Sequence, residues 1–412
     1  MLRNILLKVK NNKSLLLVWI TLTSTAPFIF YSWPGHPYKL LTIAGIGIMT
    51  VQILLRNKKR VFDFKIFSII ILQIAYYIFA TFYHTDYSNI NLCIQLISFF
   101  IIITYINAFI GFKSFVRSYI DVTLAMAIGG TLIFFLHAFI GVKPLFLVDY
   151  SASGTSYFLW LTTTNVYYDV SGIRFIRYSG FFDEPGAFGL YSIFAIVLNK
   201  IYFQNAKKEL WLILLTMFTL SLAFYFSMVL YFLFFYVNKS NLKYILFLFM
   251  GILTMYFYLS SNVEDETTGM IYDATFKRFE MDDTGLAENN RSALSDNDKK
   301  IFLEYPLLGS GTTKEKISGS NLFSILASYG IFGTLFYYAF LLYFILQITL
   351  MSYKYFLFYL KILLLLLLNF YSRPEISSVF TLLVFVSIIY YNRNNFEIQN
   401  RETGNVFTYD KY

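Results

Sequence analysis

The stretch RYSGFFDEPGAFG, Arg177 to Gly189, places an arginine just ahead of two adjacent carboxylates, Asp183 and Glu184, where a strongly apolar run begins. A guanidinium is a planar, permanently charged fork that suits phosphate oxygens. A carboxylate can take the proton of a hydroxyl nucleophile. Pro185 suits the first turn of a helix, where its missing N–H costs nothing, so Asp183 and Glu184 are expected at a helix N-terminus. The helix dipole keeps a carboxylate ionised there. Three more arginines, Arg174, Arg278 and Arg291, lie in the polar segments of the chain. Together the four suit an anionic ligand such as a diphosphate. Each also has a plainer reading as an ion-pair partner: Arg278 with Glu280, Arg291 with Glu288, and Arg177 with a capping carboxylate.

These groups must be positioned by a very apolar chain. Of its 412 residues 57% are hydrophobic and 21% aromatic, and only 14% are charged, which is the composition of an integral membrane protein. A formal charge of +9 would suit nucleic acid in a soluble protein. In a membrane protein it is read loop by loop, and no nucleic-acid partner is expected. The single cysteine, Cys93, lies in an apolar run and allows neither an intrachain disulfide nor a cysteine-built metal site. His36, His84 and His137 are too scattered for a zinc or haem site. Neither a metal nor another cofactor is expected.

Runs able to cross about 30 Å of hydrocarbon fall near 14–32, 38–55, 64–82, 92–110 and 119–141. The first follows Lys8, Lys10 and Lys13 and reads as a retained signal anchor. The connections alternate in charge. RNKKR (Arg56 to Arg60) and FKSFVR (Phe112 to Arg117) are basic, whereas SWPGHP (Ser32 to Pro37) and YHTDYSN (Tyr83 to Asn89) carry no Lys or Arg. The basic side belongs in the cytoplasm. After a sixth run near 186–203, QNAKKE (Gln204 to Glu209) returns to that side. A single crossing over Leu210 to Val237 would place Lys239 and Lys243 outside and the acidic segment 261–320 inside. Two short or re-entrant helices over about 210–237, turning near Ser221 to Ser227, are therefore expected. Runs near 244–260, 321–350, 355–371 and 376–391 complete about twelve helices with both termini cytoplasmic.

The expected fold is all-α, a single polytopic membrane domain over residues 1–412, with two large extracytoplasmic loops at about 142–184 and 261–320. The four arginines lie in those loops, against the positive-inside tendency. Around Asp296 to Tyr305 a short helix is expected to rest on the membrane and to stop at Pro306, with Ile301, Phe302 and Leu303 turned toward lipid or core. No long internal repeat is evident.

The sequence resembles the Wzy-type O-antigen polymerases, in the superfamily of O-antigen ligases and polymerases. The residues that carry the resemblance are RYSGFFDEP at 177 to 185, RSAL at 291 to 294, EYPLLGSG at 304 to 311 and SNLFSILASYGIFG at 320 to 333. It implies a glycosyltransferase of the bacterial inner membrane with its active site on the extracytoplasmic face. Such an enzyme transfers a glycan from undecaprenyl diphosphate to a hydroxyl of another lipid-linked repeat unit, of O-antigen or of capsule. By the resemblance Arg177 and Arg291 would hold the diphosphate, with Arg174 and Arg278 in support. Glu184 is the candidate base, and Asp183 beside it is counted with Arg174 and Arg278 among the substrate-binding residues. Ligases of the superfamily show a His-Asn pair where this chain reads Ser320-Asn321, so a ligase fits less well, and Asn321 is left to hydrogen-bond a sugar. The expected partners are the lipid-linked oligosaccharide, the bilayer and a chain-length regulator.

Two rivals stay open. A ligase uses the same chemistry with a different acceptor. A lipid-linked oligosaccharide flippase would keep its polar residues near the bilayer midplane, where this chain offers few candidates, such as Arg373 and Glu375 near a helix end.

Overall fold

The computed structural model describes residues 13–25, 27–28, 37–55, 63–150, 155–170, 173–237, 242–265, 268–269, 272–273, 276–277, 281–282, 285–286, 291–312, 317–318, 321–351, 353–372 and 378–402. The chain is mostly helical. Its first half contains α1 (Lys13–Thr25), α2 (Pro37–Leu55), α3 (Phe64–His84), α4 (Ser88–Tyr105) and α5 (Phe112–Ile140). Asp63 caps α3 by accepting from the Lys65 and Ile66 amides, which satisfies two donors that have no partner inside the helix. A π turn at Ile106–Ile110 extends α4 to Gly111, whose φ of 84° ends it.

Between α5 and the next helix lie strands β1 (Phe146–Tyr150), β2 (Thr155–Leu159), β3 (Thr163–Thr164), β4 (Tyr167–Val170) and β5 (Ile173–Ile176). They form an antiparallel sheet ordered β1-β2-β3 and a separate β4–β5 hairpin. There follow α6 (Pro185–Tyr202), α7 (Ala206–Thr216), a short 3₁₀ turn (Met217–Thr219), α8 (Leu222–Phe235) and α9 (Leu242–Ser261). A small hairpin, β6 (Met281–Asp282) with β7 (Gly285–Leu286), precedes α10 (Arg291–Glu304). The chain closes with α11 (Leu322–Tyr337), α12 (Ala339–Thr349), α13 (Tyr353–Ser372) and α14 (Val379–Glu402). The helical expectation holds in the coarse sense, and short strands are added to it. Segment 142–184 is rich in aromatic and β-branched residues, which favour a pleated, half-buried surface.

Among the described residues α3, α5 and Ser88–Ile110 (α4 with its π turn) are long and apolar enough to cross a membrane. The pair Phe323–Tyr337 and Ala339–Thr349 makes a fourth if its two arms, bent by 41°, count as one span. The run near 321–350 is thus not one straight helix. It is also interrupted at Gly330 (φ 62°, ψ −171°).

The centre of the bundle is α6. Ile193, Phe194, Ala195, Ile196 and Leu198 are all fully buried, so this helix is surrounded on every side. It packs against α5, α7, α8 and α14. At its C-terminal end Lys200 pairs with Glu209 of α7 at 3.7 Å, and Glu209 accepts from the Tyr231 hydroxyl at 2.7 Å and from Tyr236. The start of α7 and the end of α8 therefore lie together, and the two helices form a hairpin whose turn, Met217–Ser221, is at the far end.

Candidate active site at the turn of two short helices

The segment between α5 and α6 folds down the side of α5. Tyr178 lies so close to Gly130 that a Cβ there would come within 2.1 Å of its ring. The carbonyl of Leu161 approaches Gly129 less closely, 3.0 Å from where a Cβ would stand. Irregular backbone packed against a helix long and apolar enough to cross a membrane must have its polar groups satisfied inside the protein, and a run of threonines does this. Thr162 Oγ1 donates to the Gly180 carbonyl at 2.9 Å, and Thr164 Oγ1 donates to Arg177 O at 2.7 Å. Ser179 donates through both its amide and its hydroxyl to Thr163 O, at 2.8 and 2.9 Å.

This scaffold delivers Arg177 to the turn between α7 and α8. Its Nη2 donates to the Leu220 carbonyl at 2.8 Å and its Nε points to Thr219 O at 3.4 Å. Leu220 is left-handed (φ 51°) and lies just beyond the helical C-terminus, where carbonyls lack helical partners and the dipole is negative. A cation suits that position. The neighbouring Tyr178 hydroxyl donates to Leu215 O at 2.6 Å, so consecutive residues tie the segment to the same helix end.

Glu184 is the N-cap of α6 and Pro185 its first residue, as the proline spacing anticipates. Its carboxylate does not cap: the side chain accepts no hydrogen bond from the first turn. The residue is exposed and Asp183 is half-buried. Arg177, Asp183 and Glu184 thus share one short connector between β5 and α6. Arg174 belongs to the β4–β5 hairpin, where it faces Asp169 across the register at 3.5 Å and covers Gly141 (φ 72°), the turn that ends α5. The ion-pair reading describes this arginine.

Asn321 sits in a second group. It is the N-cap of α11, its side chain accepting from the Ser324 amide while Ser324 reaches back to the cap. Its Nδ2 donates to Asp298 Oδ2 at 2.7 Å and to Ser318 Oγ at 2.9 Å. Both ends of the amide are therefore engaged in structure, and these bonds fix Asn321 at the start of α11. Arg291 is the first residue of α10, and only its place on the helix is described; Arg278, Arg373 and Glu375 lie outside the described residues. The short helix expected near Asp296 to Tyr305 extends back to Arg291. It buries Ile301 while leaving Leu303 exposed.

The break in α11 explains the glycines of EYPLLGSG. Around Gly330 the helix leaves carbonyls and amides without helical partners. Segment 306–311 supplies partners: Ile331 N donates to Pro306 O at 2.9 Å, Phe332 N to Leu307 O at 3.2 Å, Ser310 N to Ala327 O at 2.8 Å and Gly311 N to Ser328 O at 3.1 Å. Backbone meets backbone so closely that a Cβ on Gly309 or on Gly330 would stand 2.4 Å from the opposing chain. Asp86 fixes the far end of this loop, accepting from the Thr312 amide at 3.0 Å, from the Thr312 hydroxyl and from the Ser88 amide at 3.0 Å. Burial alone would raise the Asp86 pKa; the Thr312 and Ser88 hydrogen bonds outweigh it and hold the carboxyl below its ordinary value.

Sequence reasoning missed Asp86 and Asp298, both buried and both anchors of the second loop. A carboxylate close to Ser and Thr donors was the available signal. Among the described residues no group of three or more His, Cys, Asp or Glu comes together to hold a metal ion. No family model matches the chain, and neither a curated protein nor a solved structure matches it.

Proposed function

We propose that this chain is a membrane glycosyltransferase that polymerises lipid-linked repeat units, with Arg177 and Glu184 at its centre. The observation that carries the reading is the placement of Arg177: a permanent cation held at the turn of two short apolar helices, on the same connector as an exposed carboxylate at a helix N-terminus. Arginine in an apolar bundle is costly, and such positions mark ion or substrate paths. The resemblance of RYSGFFDEP to the O-antigen polymerases supplies the substrate class.

In the proposed reaction a sugar hydroxyl of the acceptor unit attacks the anomeric carbon of the donor glycan. The new C–O bond forms as the anomeric C–O bond to undecaprenyl diphosphate breaks, and the electron pair leaves on the diphosphate oxygen. Arg177, with Arg291 beside it in this reading, stabilises that oxygen's charge. Glu184 accepts the hydroxyl proton. In the matching topology about twelve helices cross or re-enter the inner membrane, the α7–α8 hairpin enters from the cytoplasm and returns there, and both large loops face outward.

The reading is tested by glycan ladders on gels, in a host with the matching repeat-unit pathway. Deletion of the chain is expected to leave single repeat units on the normal final acceptor, and Arg177→Ala at matched membrane expression to do the same. Loss of all surface glycan would instead indicate a ligase or flippase, and an unchanged ladder would contradict the proposal.

A further inference from the structure

The β1–β2 hairpin carries an apolar root and a polar tip. Phe146 and Leu147 at the root are each more than half exposed, as is Leu161 in the turn after β2. At the tip Asp149 is exposed and accepts from the Ser156 hydroxyl at 2.7 Å. Three large apolar side chains left exposed within a few residues of one another in a hairpin call for a contact.

The occupant is indicated by what adjoins this surface. On α5, a helix long and apolar enough to cross a membrane, Ile128, Leu132 and Phe139 form one exposed stripe at helical spacing. Leu161 packs directly beside it, its Cβ 3.5 Å from where a Cβ on Gly129 would stand. Gly129 is about 16 Å below the C-terminal end of α5, at 1.5 Å per residue. Leu161 thus extends the α5 stripe to the turn after β2, and the exposed Phe146 lies in register with Leu159, two residues before Leu161. Exposed Lys143, between the two, is placed for lipid headgroups. The backbone near the deep turn is satisfied internally: Trp160 N donates to Thr162 O and Leu145 N to Leu159 O, at 2.8 and 2.9 Å. Since β1 is the edge strand of its sheet, and an open strand edge is not tolerated in hydrocarbon, the root lies at the boundary of headgroups and chains, with Leu161 deepest.

We infer that the root of the β1–β2 hairpin and the Leu161 turn are seated in the lipid bilayer beside α5, with the hairpin tip standing in water. The first large loop is then a membrane-inserted β element. This does not rest on the glycosyltransferase reading, and its test contains no activity measurement.

The full chain, with its buried Cys93 changed to Ala, is given a single cysteine by Leu147→Cys, Leu161→Cys or Asp149→Cys. Each variant is labelled with an environment-sensitive fluorophore and placed in phosphatidylcholine nanodiscs. Brominated acyl chains are expected to quench the labels at 147 and 161 and to spare the label at 149, and aqueous iodide to do the reverse. Quenching at 147 and 161 by iodide but not by brominated lipid would overturn the inference. So would protection of both from either quencher together with energy transfer between copies, which would assign the surface to a second copy of the chain. Because Cys93 is buried, the same series in the native background checks that its replacement has not altered the fold.

Discussion

Arg177 Nη2 lies 2.8 Å from the Leu220 carbonyl, so the segment that leads into α6 is fastened to the turn of the α7–α8 hairpin by a charge-assisted hydrogen bond. The same guanidinium that could meet an anionic substrate also holds the turn in place. In the proposed reading position and chemistry are coupled through one side chain.

That coupling separates two substitutions. Arg177→Lys keeps the charge but loses the fork that addresses two carbonyls, so it is expected to lose most polymerisation. Hydrogen bonds to a charged group are worth about 1.5–3 kcal/mol, and thermal melts in detergent should show a loss of that order for Arg177→Ala. A lysine variant with a full glycan ladder would contradict the role of the fork.

Gly330 should tolerate no side chain. Alanine there meets both a φ of 62° and the Leu307 backbone at 2.4 Å, and a cost of roughly 2 kcal/mol or more is expected. Gly251, on α9 with open space around it, is the control: Gly251→Ala is expected to be neutral or to stabilise the helix by up to about 1 kcal/mol. Equal melting temperatures for the two variants would contradict the backbone contact.

Asp86 gives the second loop a pH dependence. Its folded pKa is lowered below the ordinary 3.8, so its stabilisation is complete above that value and is lost as the pH falls through the folded pKa. Proteolysis of the loop should accelerate over that acid window in the wild type. In Asp86→Asn it should be fast already at neutral pH and change less on acidification.

Glu209 holds the base of the hairpin. Glu209→Gln leaves Lys200 without its counter-charge, at an expected cost of about 3 kcal/mol, the lower end for a buried pair because the Lys200 side chain is 21% exposed. Lys200→Met combined with Glu209→Gln should recover part of that loss. A single variant that melts with the wild type would show that the pair is not structural.

Much of the helical layout was legible because apolar runs and capping residues are local signals. Pro185 located the start of α6, with Glu184 as its cap. Loop charge places the break within 210–237 near Ser221 to Ser227, and the turn lies slightly earlier, at Met217–Ser221. No Gly or Pro marks it. The left-handed Leu220 is held by Arg177 and by the Tyr225 hydroxyl donating to Met217 O at 2.7 Å, both of them contacts that only the folded chain makes. The strands of segment 142–184 were hidden by a composition in which aromatic and β-branched residues occur everywhere. The bonds from the Asn321 amide to Asp298 and Ser318 are contacts between residues whose pairing only the fold shows.

The most direct measurement uses the purified chain in liposomes with a synthetic undecaprenyl diphosphate-linked repeat unit and follows the lipid-linked products by mass spectrometry. The expected result is products of two and more units, with one undecaprenyl diphosphate released for each new glycosidic bond, and none from Arg177→Ala or Glu184→Ala. A wild-type chain that leaves a matched repeat unit unextended, or an Arg177→Ala chain that extends it normally, would contradict the assignment.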